Sequence, residues 1–482
     1  MAPPSAEGGR NGVIGRRKKA HREIVRFTDR GLGNDSYLFV RGGAAVVIDP
    51  VRDISRYHAA AEERSTRVVA AVETHLHADF VSGARELATR GAEVYASAAG
   101  HVRFPHRPVR DGELIEIDGI SLKAMATPGH TPEHLSFVVE DADPPVLFSG
   151  GALMPGGAAR TDLLGPERTE ELARALFRTF REGLAHLPDQ TRIYPTHGAG
   201  SFCSSGGSLG DRSTTLGEER KNNPLFAAET EEEFVELLLS GFGIYPPYFL
   251  RLRNLNRGGP LLLEDLPPLL RLTGAETGKV IADGAWPVDV RPVKRYGEGH
   301  LRGSIAVPLT NSFTVWLGWV VPWGTRIVLV ADEEAEAADA ARRARGIGFE
   351  DISGWTTFEK LVEAGLPVAE TEMIDAAELE RRLLSPTPPA VVDVRRPAEV
   401  AEGKIPGSLA FEAGRIATEI PGGLEGPLVT HCASGSRATV SASILERAGI
   451  GPIAVFPGGV QEWRDSGRAV ETPSEPHPET PR

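Results

Sequence analysis

Along residues 23–136, short apolar runs of strand length alternate with amphipathic stretches of helical period. Runs over 36–40 and 45–50, joined through Gly42-Gly43, predict a β-hairpin. Arg67-Val68-Val69-Ala70-Ala71-Val72-Glu73 is apolar on both alternating faces, the pattern of a strand buried on both sides. Helices are predicted over 54–64 and 80–90, the second ending near Gly91. Further strands are expected at 93–96, 113–117, 122–126, 145–149 and 192–194, and a helix at 231–239. Strands alternating with helices in this way predict an α/β architecture. Residues 198–220 are rich in Gly and Ser, the composition of a lid or a linker insertion. Arg257-Gly258-Gly259-Pro260 reads as a domain boundary.

Beyond that boundary the pattern repeats. Val288-Asp289-Val290-Arg291 precedes Gly299-His300-Leu301-Arg302-Gly303-Ser304, and Val392-Asp393-Val394-Arg395 precedes Gly403-Lys404-Ile405-Pro406-Gly407-Ser408 with the same internal spacing. Each copy has a strand, a charged turn, a Gly-Ser turn and a later strand feeding a helix. A small α/β domain is therefore expected twice.

Composition narrows the classes. At 482 residues the chain is long enough for several cores. A net charge of −13 argues against nucleic acid or an anionic membrane as a partner. The 2 cysteines, Cys203 and Cys432, exclude a disulfide framework and fit a reducing cytoplasm. No run is long and apolar enough to span a bilayer. Residues 1–22 contain Arg16-Arg17-Lys18-Lys19 and no apolar secretory core, so a basic disordered arm is expected in preference to a transit peptide. The Pro/Glu-rich residues 473–482 are expected to be a disordered tail.

The candidate chemistry sits at strand ends. Thr74-His75-Leu76-His77-Ala78-Asp79-Phe80 follows the buried strand, Pro128-Gly129-His130-Thr131-Pro132-Glu133-His134 follows 122–126, and Pro195-Thr196-His197 follows 192–194. His75, His77, Asp79, His130 and His197 are thus candidate metal ligands, because imidazoles and carboxylates bind zinc and iron well. Over roughly residues 23–253 these motifs, with Ser82-Gly83 and Arg160-Thr161-Asp162-Leu163, resemble the metallo-β-lactamase superfamily, in particular persulfide dioxygenases fused to rhodanese domains. The resemblance implies a four-layer αβ/βα sandwich. It also implies a mononuclear Fe(II), held by the residues matching His75 and His130 plus an aspartate, that oxidises a glutathione-type persulfide to sulfite and thiol. The chain departs from that pattern twice. Gly151 stands where the family has the aspartate, and Phe80 where many relatives have a further histidine, so a dinuclear zinc hydrolase is disfavoured. A cluster of His75, His77 and His130 remains, able to hold iron or zinc, with Asp79, Asp162 or His134 as candidate substitutes for the lost ligand. Cys203 either approaches the metal or is an idle loop cysteine.

The second constellation is Cys432-Ala433-Ser434-Gly435-Ser436-Arg437, between a strand at 427–430 and a helix opening at about Ala438. Such a loop turns its backbone N–H groups, at Ala433, Ser434, Gly435 and Ser436, toward the sulfur. The helix N-terminus and Arg437 favour the thiolate, and the same cradle suits a persulfide. With Asp393-Val394-Arg395 upstream, this copy resembles a rhodanese domain, Cys432 matching its sulfur-carrying cysteine. In the first copy the equivalent loop is Ala331-Asp332-Glu333-Glu334-Ala335-Glu336, where acids replace the nucleophile and would repel a sulfur anion.

The expected organisation is a metallo-β-lactamase-like domain at 23–255, a rhodanese-like spacer without nucleophile at 256–370, and a rhodanese domain with an active cysteine at 371–472. The expected function is oxidation of a small thiol persulfide at one metal, Fe(II) before Zn, coupled to sulfur transfer through Cys432. Thiosulfate and sulfite are the other expected small-molecule partners, and a homo-oligomer stays open. Two alternatives stand: a sulfurtransferase whose first domain is a mononuclear zinc hydrolase or degenerate, and a non-enzymatic sulfur-carrier or sensing scaffold.

Overall fold

A computed structural model describes residues 22–198, 200–205 and 213–472. The expected tail lies outside the described residues, as does the expected arm except Arg22, which already begins the strand Arg22–Asp29. The first half is built on two six-stranded sheets. Side chains of the strand Asn34–Arg41 alternate between two cores, Tyr37 and Phe39 facing one and Leu38 and Val40 the other. That period of two is what a strand buried on both faces requires. Tyr37, Phe39, Ile48 and Val72 meet Leu122, Phe137 and Phe148 of the second sheet in the central core. Helices Ser55–Glu63 and Ala84–Thr89 cover the outer face of the first sheet through Tyr57 and Leu87. Pro166–Arg178 and Glu231–Ser240 cover the second through Leu176 and Phe234. The result is an αβ/βα sandwich.

Two differences from the sequence expectation matter for the site. The strand Leu135–Val139, directly after the second histidine motif, was not foreseen; it pairs with both Ile120–Ala126 and Val146–Gly150. The helix expected from residue 80 starts at Ala84 instead. Phe80 and Val81 are drawn into a core shared with the next unit, among Tyr248, Phe313, Leu317 and Trp319. Val81 N–H donates to the carbonyl of Gly346 at 2.8 Å. Buried Arg52 donates to the carbonyls of Arg345 (2.7 Å) and Leu261 (2.6 Å) and pairs with Glu350 at 2.7 Å.

The sequence repeat is realised as two sheets of like order. In one, Ile305–Ala306, Trp286–Asp289, Ile327–Val330 and Ile352–Thr356 run parallel; in the other, Leu409–Ala410, Ala390–Asp393, Leu428–His431 and Ile453–Phe456 do so in the equivalent order. The Asp-Val-Arg motif has the same geometry in both. Arg291 clasps Asp289 and reaches the Gly299 carbonyl at 2.8 Å; Arg395 clasps Asp393 and reaches the Gly403 carbonyl at 2.7 Å. The motif thus closes the turn after the strand and is structural. Helix Ser436–Arg447 lies on the first copy, with Glu446 accepting from His300 Nε2 at 2.7 Å and Ser443 Oγ accepting from Ala306 N–H at 3.0 Å. Among the described residues no helix is long and apolar enough to cross a membrane.

Candidate functional site

Strands Ala44–Ile48 and Arg67–Val72 run parallel, as do Val146–Gly150 and Arg192–Pro195. Their C-terminal ends bring Asp49, Thr74–His77, Gly150-Gly151 and Thr196-His197 to one rim of the sandwich, where the loop carrying His130 and His134 joins them. His75, His130 and His197 are all buried, and one nitrogen of each lies within 4.8 Å of the others. The opposite nitrogen of each ring is tied down. Thr74 Oγ1 gives its proton to Asp49 Oδ2 (2.8 Å) and so accepts from His75 Nδ1 at 2.8 Å. His130 Nδ1 donates to the Arg160 carbonyl at 2.6 Å. His197 Nδ1 donates toward Asn34 Oδ1 (3.2 Å) and Asp79 Oδ2 (3.3 Å).

With each proton committed to Nδ1, the Nε2 atoms present lone pairs. Those of His75 and His197 face each other at 3.2 Å, an arrangement that repels unless a cation lies between them. Burial, then the neighbouring imidazoles, pushes His75 and His130 well below the usual histidine range, so both rings are neutral. This donor set fits a metal ion: imidazoles oriented by backbone, hydroxyl and carboxylate partners are how proteins hold zinc and iron.

The other sequence candidates stand around this cluster. His77 turns its Nε2 to Glu73 (3.0 Å) and Asp49 (3.2 Å), with its ring stacked on Phe80. Burial alone would depress His77, but the two carboxylates overcome that and raise it to about 10. Its Nδ1 has no hydrogen-bond partner among the described residues, and His77 forms two further groups able to hold a metal ion, one with Asp49 and His75 and one with Asp79 and His197. Asp79 orients His197, and the Asn34 amide donates to it at 2.7 Å. His134 accepts the Gly151 N–H at Nε2 (2.9 Å), so its Nδ1 carries the proton and donates to Thr127 Oγ1 at 2.8 Å. Asp162 is engaged by Arg160 in a two-pronged ion pair of 2.6 and 2.7 Å. A Cβ on Gly151 would sit 2.7 Å from His130 Cδ2 and 2.9 Å from Ala159 Cβ, so the ring of His130 occupies the room a side chain there would need. Cys203 is buried near Asp79; burial, then that carboxylate, pushes its thiol well above the ordinary value.

The rhodanese-like loop is shorter than the sequence suggested, because the helix opens at Ser436 and not near Ala438. Gly435 supplies the left-handed turn (φ 80°) between loop and helix. Cys432 is buried at the base of the loop. Arg437 forms a two-pronged pair with Glu399 at 2.6 and 2.8 Å. A cavity of about 300 Å³ opens over Ser434, Ser436 and Arg437. Its walls come from three parts of the chain: Phe202 from the first half, Trp316 and Trp319 from the first repeat, and Arg396, Glu399 and Glu412 from the second.

Sequence reasoning missed several residues of both sites. Asp49 had a usable signal, a carboxylate directly after a buried apolar strand. Arg160 stood in a quoted motif without a role assigned to it, and Asn34, Glu73 and Glu399 had no signal, since their partners lie at least a turn or a strand away. Arg160 also connects the sites: its carbonyl holds His130, its Nη1 donates to the Phe202 carbonyl at 3.0 Å, and the Phe202 ring packs edge-on against Trp319 at 5.9 Å.

The metallo-beta-lactamase superfamily profile matches residues 29–197, and the rhodanese-like domain profile matches residues 375–466. The human protein "Persulfide dioxygenase ETHE1, mitochondrial" is 32% identical over 198 residues, covering 40% of this chain and 70% of that protein. A hydroxyacylglutathione hydrolase from Synechococcus sp. (strain CC9605) is 34% identical over 172 residues, covering 34% of this chain and 66% of that protein. The crystal structure of a metallo-beta-lactamase from Staphylococcus aureus subsp. aureus COL is 30% identical, with a TM-score of 0.61, covering 70% of this chain and 99% of that one.

Proposed function

The chain belongs to the metallo-beta-lactamase superfamily and carries a rhodanese-like domain near its C-terminal end, and from that premise we propose that it is an enzyme of sulfane-sulfur metabolism. In this reading a small thiol persulfide of the glutathione type is oxidised at one metal held by His75, His130 and His197, and sulfur is carried by Cys432. The observation that carries the first part is the convergence of three capped imidazoles on one point, with two lone pairs 3.2 Å apart. Iron(II) bound there would supply redox chemistry toward dioxygen, whereas zinc would supply only Lewis acidity.

The protein's own part is orientation. Thr74, the Arg160 carbonyl and the Asn34–Asp79 pair hold the three rings, and charged His77 stabilises Asp49 and Glu73 beneath them. A small cleft of about 20 Å³, lined by His75, His77, Leu76, Val102, Phe104 and Glu133, lies beside the cluster. At the second site the Cys432 thiolate attacks the outer sulfur of a persulfide. A bond from Cys432 to that sulfur forms, the donor S–S bond breaks, and the leaving thiolate takes the persulfide proton. A dinuclear hydrolase is not favoured, since no side chain that could bridge two metals fits at Gly151.

The test is metal analysis of the full chain purified without added metal, followed by oxygen uptake with glutathione persulfide. About one iron per chain with uptake is expected. Iron-replete protein that consumes no oxygen refutes the dioxygenase reading.

A further inference from the structure

The cavity over the Cys432 loop has a charge pattern that its catalytic loop does not use. Arg437 and Glu399 neutralise each other, which leaves Arg396 and Glu412. Among the described residues neither closes an ion pair: Arg396 lies over the Phe202 ring at 5.5 Å, and Glu412 faces the cavity beside Trp316 and Trp319. A half-buried carboxylate that closes no ion pair, whose charge Arg396, Arg437 and Arg415 offset only in part, can take an ammonium group beside aromatic faces. Burial, only partly offset by Arg396 and Arg437, holds the Glu412 carboxyl above its ordinary value, as expected of a site whose cation arrives with the ligand. Thiosulfate, a small dianion, supplies no such cation and meets an unpaired carboxylate instead.

We propose that this cavity recognises the zwitterionic amino-acid head of an organic thiol persulfide, its ammonium on Glu412 and the two tryptophans and its carboxylate on Arg396. The inference rests on Cys432 as the sulfur carrier and adds the class of donor. At about 300 Å³ the cavity is at the small end of ligand sites, sized for an amino acid or short peptide thiol and not for a larger cofactor. Because Phe202 and the two tryptophans come from outside the copy that bears Cys432, donor selection belongs to the assembled chain.

The experiment compares sulfur transfer to cyanide from glutathione persulfide and from its deamino analogue, in which hydrogen replaces the ammonium group and no bulk is added, using the full-length protein. Wild type is expected to favour the free amine in kcat/KM by about tenfold, a ratio typical of one charge-assisted contact. With Glu412→Gln the ratio should fall to about one. Equal kcat/KM for the two donors in wild type overturns the inference without needing any variant. A preference that survives in Glu412→Gln overturns the assignment to Glu412. Transfer from neither donor overturns the parent reading of Cys432, whereas equal transfer from both overturns this inference alone.

Discussion

Thr74→Val isolates one link of the metal site. The substitution keeps the shape of the side chain and removes only the hydroxyl. That hydroxyl does two things at once: it donates to Asp49 Oδ2 at 2.8 Å and accepts from His75 Nδ1 at 2.8 Å. Its loss frees the His75 ring to rotate or change tautomer, and removal of such an orienting partner typically weakens metal binding about 10- to 100-fold. On the scale of about 1.4 kcal/mol per tenfold, that is roughly 1.4–2.8 kcal/mol. The figure agrees with the roughly 1.5–3 kcal/mol attached to a hydrogen bond with a charged partner. Thr196→Val is the matched control: Thr196 Oγ1 also donates to Asp49 but does not touch His75. Both variants should lose comparable thermal stability, measured by calorimetry of the metal-free protein. Only Thr74→Val should lose metal affinity, measured by competition against a chromophoric chelator. Equal metal affinity in Thr74→Val and wild type would show that the hydroxyl does not orient His75, and the three-imidazole assignment would lose one of its supports.

Cys432→Ala should abolish sulfur transfer to cyanide while leaving metal content near that of wild type, and retained transfer would exclude Cys432 as the carrier. Gly151→Asp should reduce metal content and lower stability by about 1–3 kcal/mol, as overpacking does, because its Cβ would press on His130; a variant that binds metal more tightly would contradict the packing described. Among the described residues His431 is buried without a hydrogen-bond partner, its Nε2 3.7 Å from Asp393, and it is depressed to about 4, chiefly by burial. The unfolded chain, with histidine near 6.5, therefore binds the extra proton first as pH falls, and stability is lost between about pH 6.5 and 4. At pH 5 this residue should account for about 2 kcal/mol of loss relative to pH 8, and His431→Asn should show a correspondingly smaller drop in denaturant titrations at the two pH values.

How much of this the sequence revealed depended on how local each determinant is. The repeat around Asp289 and Asp393 was readable because its clamp closes within a few residues of the strand. The Cys432 loop was readable for the same reason. The histidine motifs pointed to strand ends, and the structure gathers His75, His77, His130 and His197 at one rim. Which rings would meet was not legible: His75, His130 and His197 form one group able to hold a metal ion, His77 stands in two others with Asp49 or Asp79, and His197 comes from 122 residues downstream of His75. The pairing of Arg437 with Glu399 was hidden likewise: 38 residues separate them, and only the packing of a short helix beside the loop joins them. Phe80 read as a missing ligand; the structure gives it a positive role, in a core that the first half cannot complete alone.

That last feature has a temporal meaning during synthesis. The loop bearing His75 is fixed from behind by Asn256, which donates to the His77 and Phe80 carbonyls at 2.8 and 2.9 Å, and by the Gly346 carbonyl on Val81. A nascent chain that has made His75, His130 and His197 still lacks the backing that seats them. On the proposed function, metal loading is expected to wait until the nucleophile-free repeat has emerged from the ribosome and folded. The acids that disabled its own loop leave that task untouched, because the bracing contacts come from the far end of the helix Glu334–Gly346.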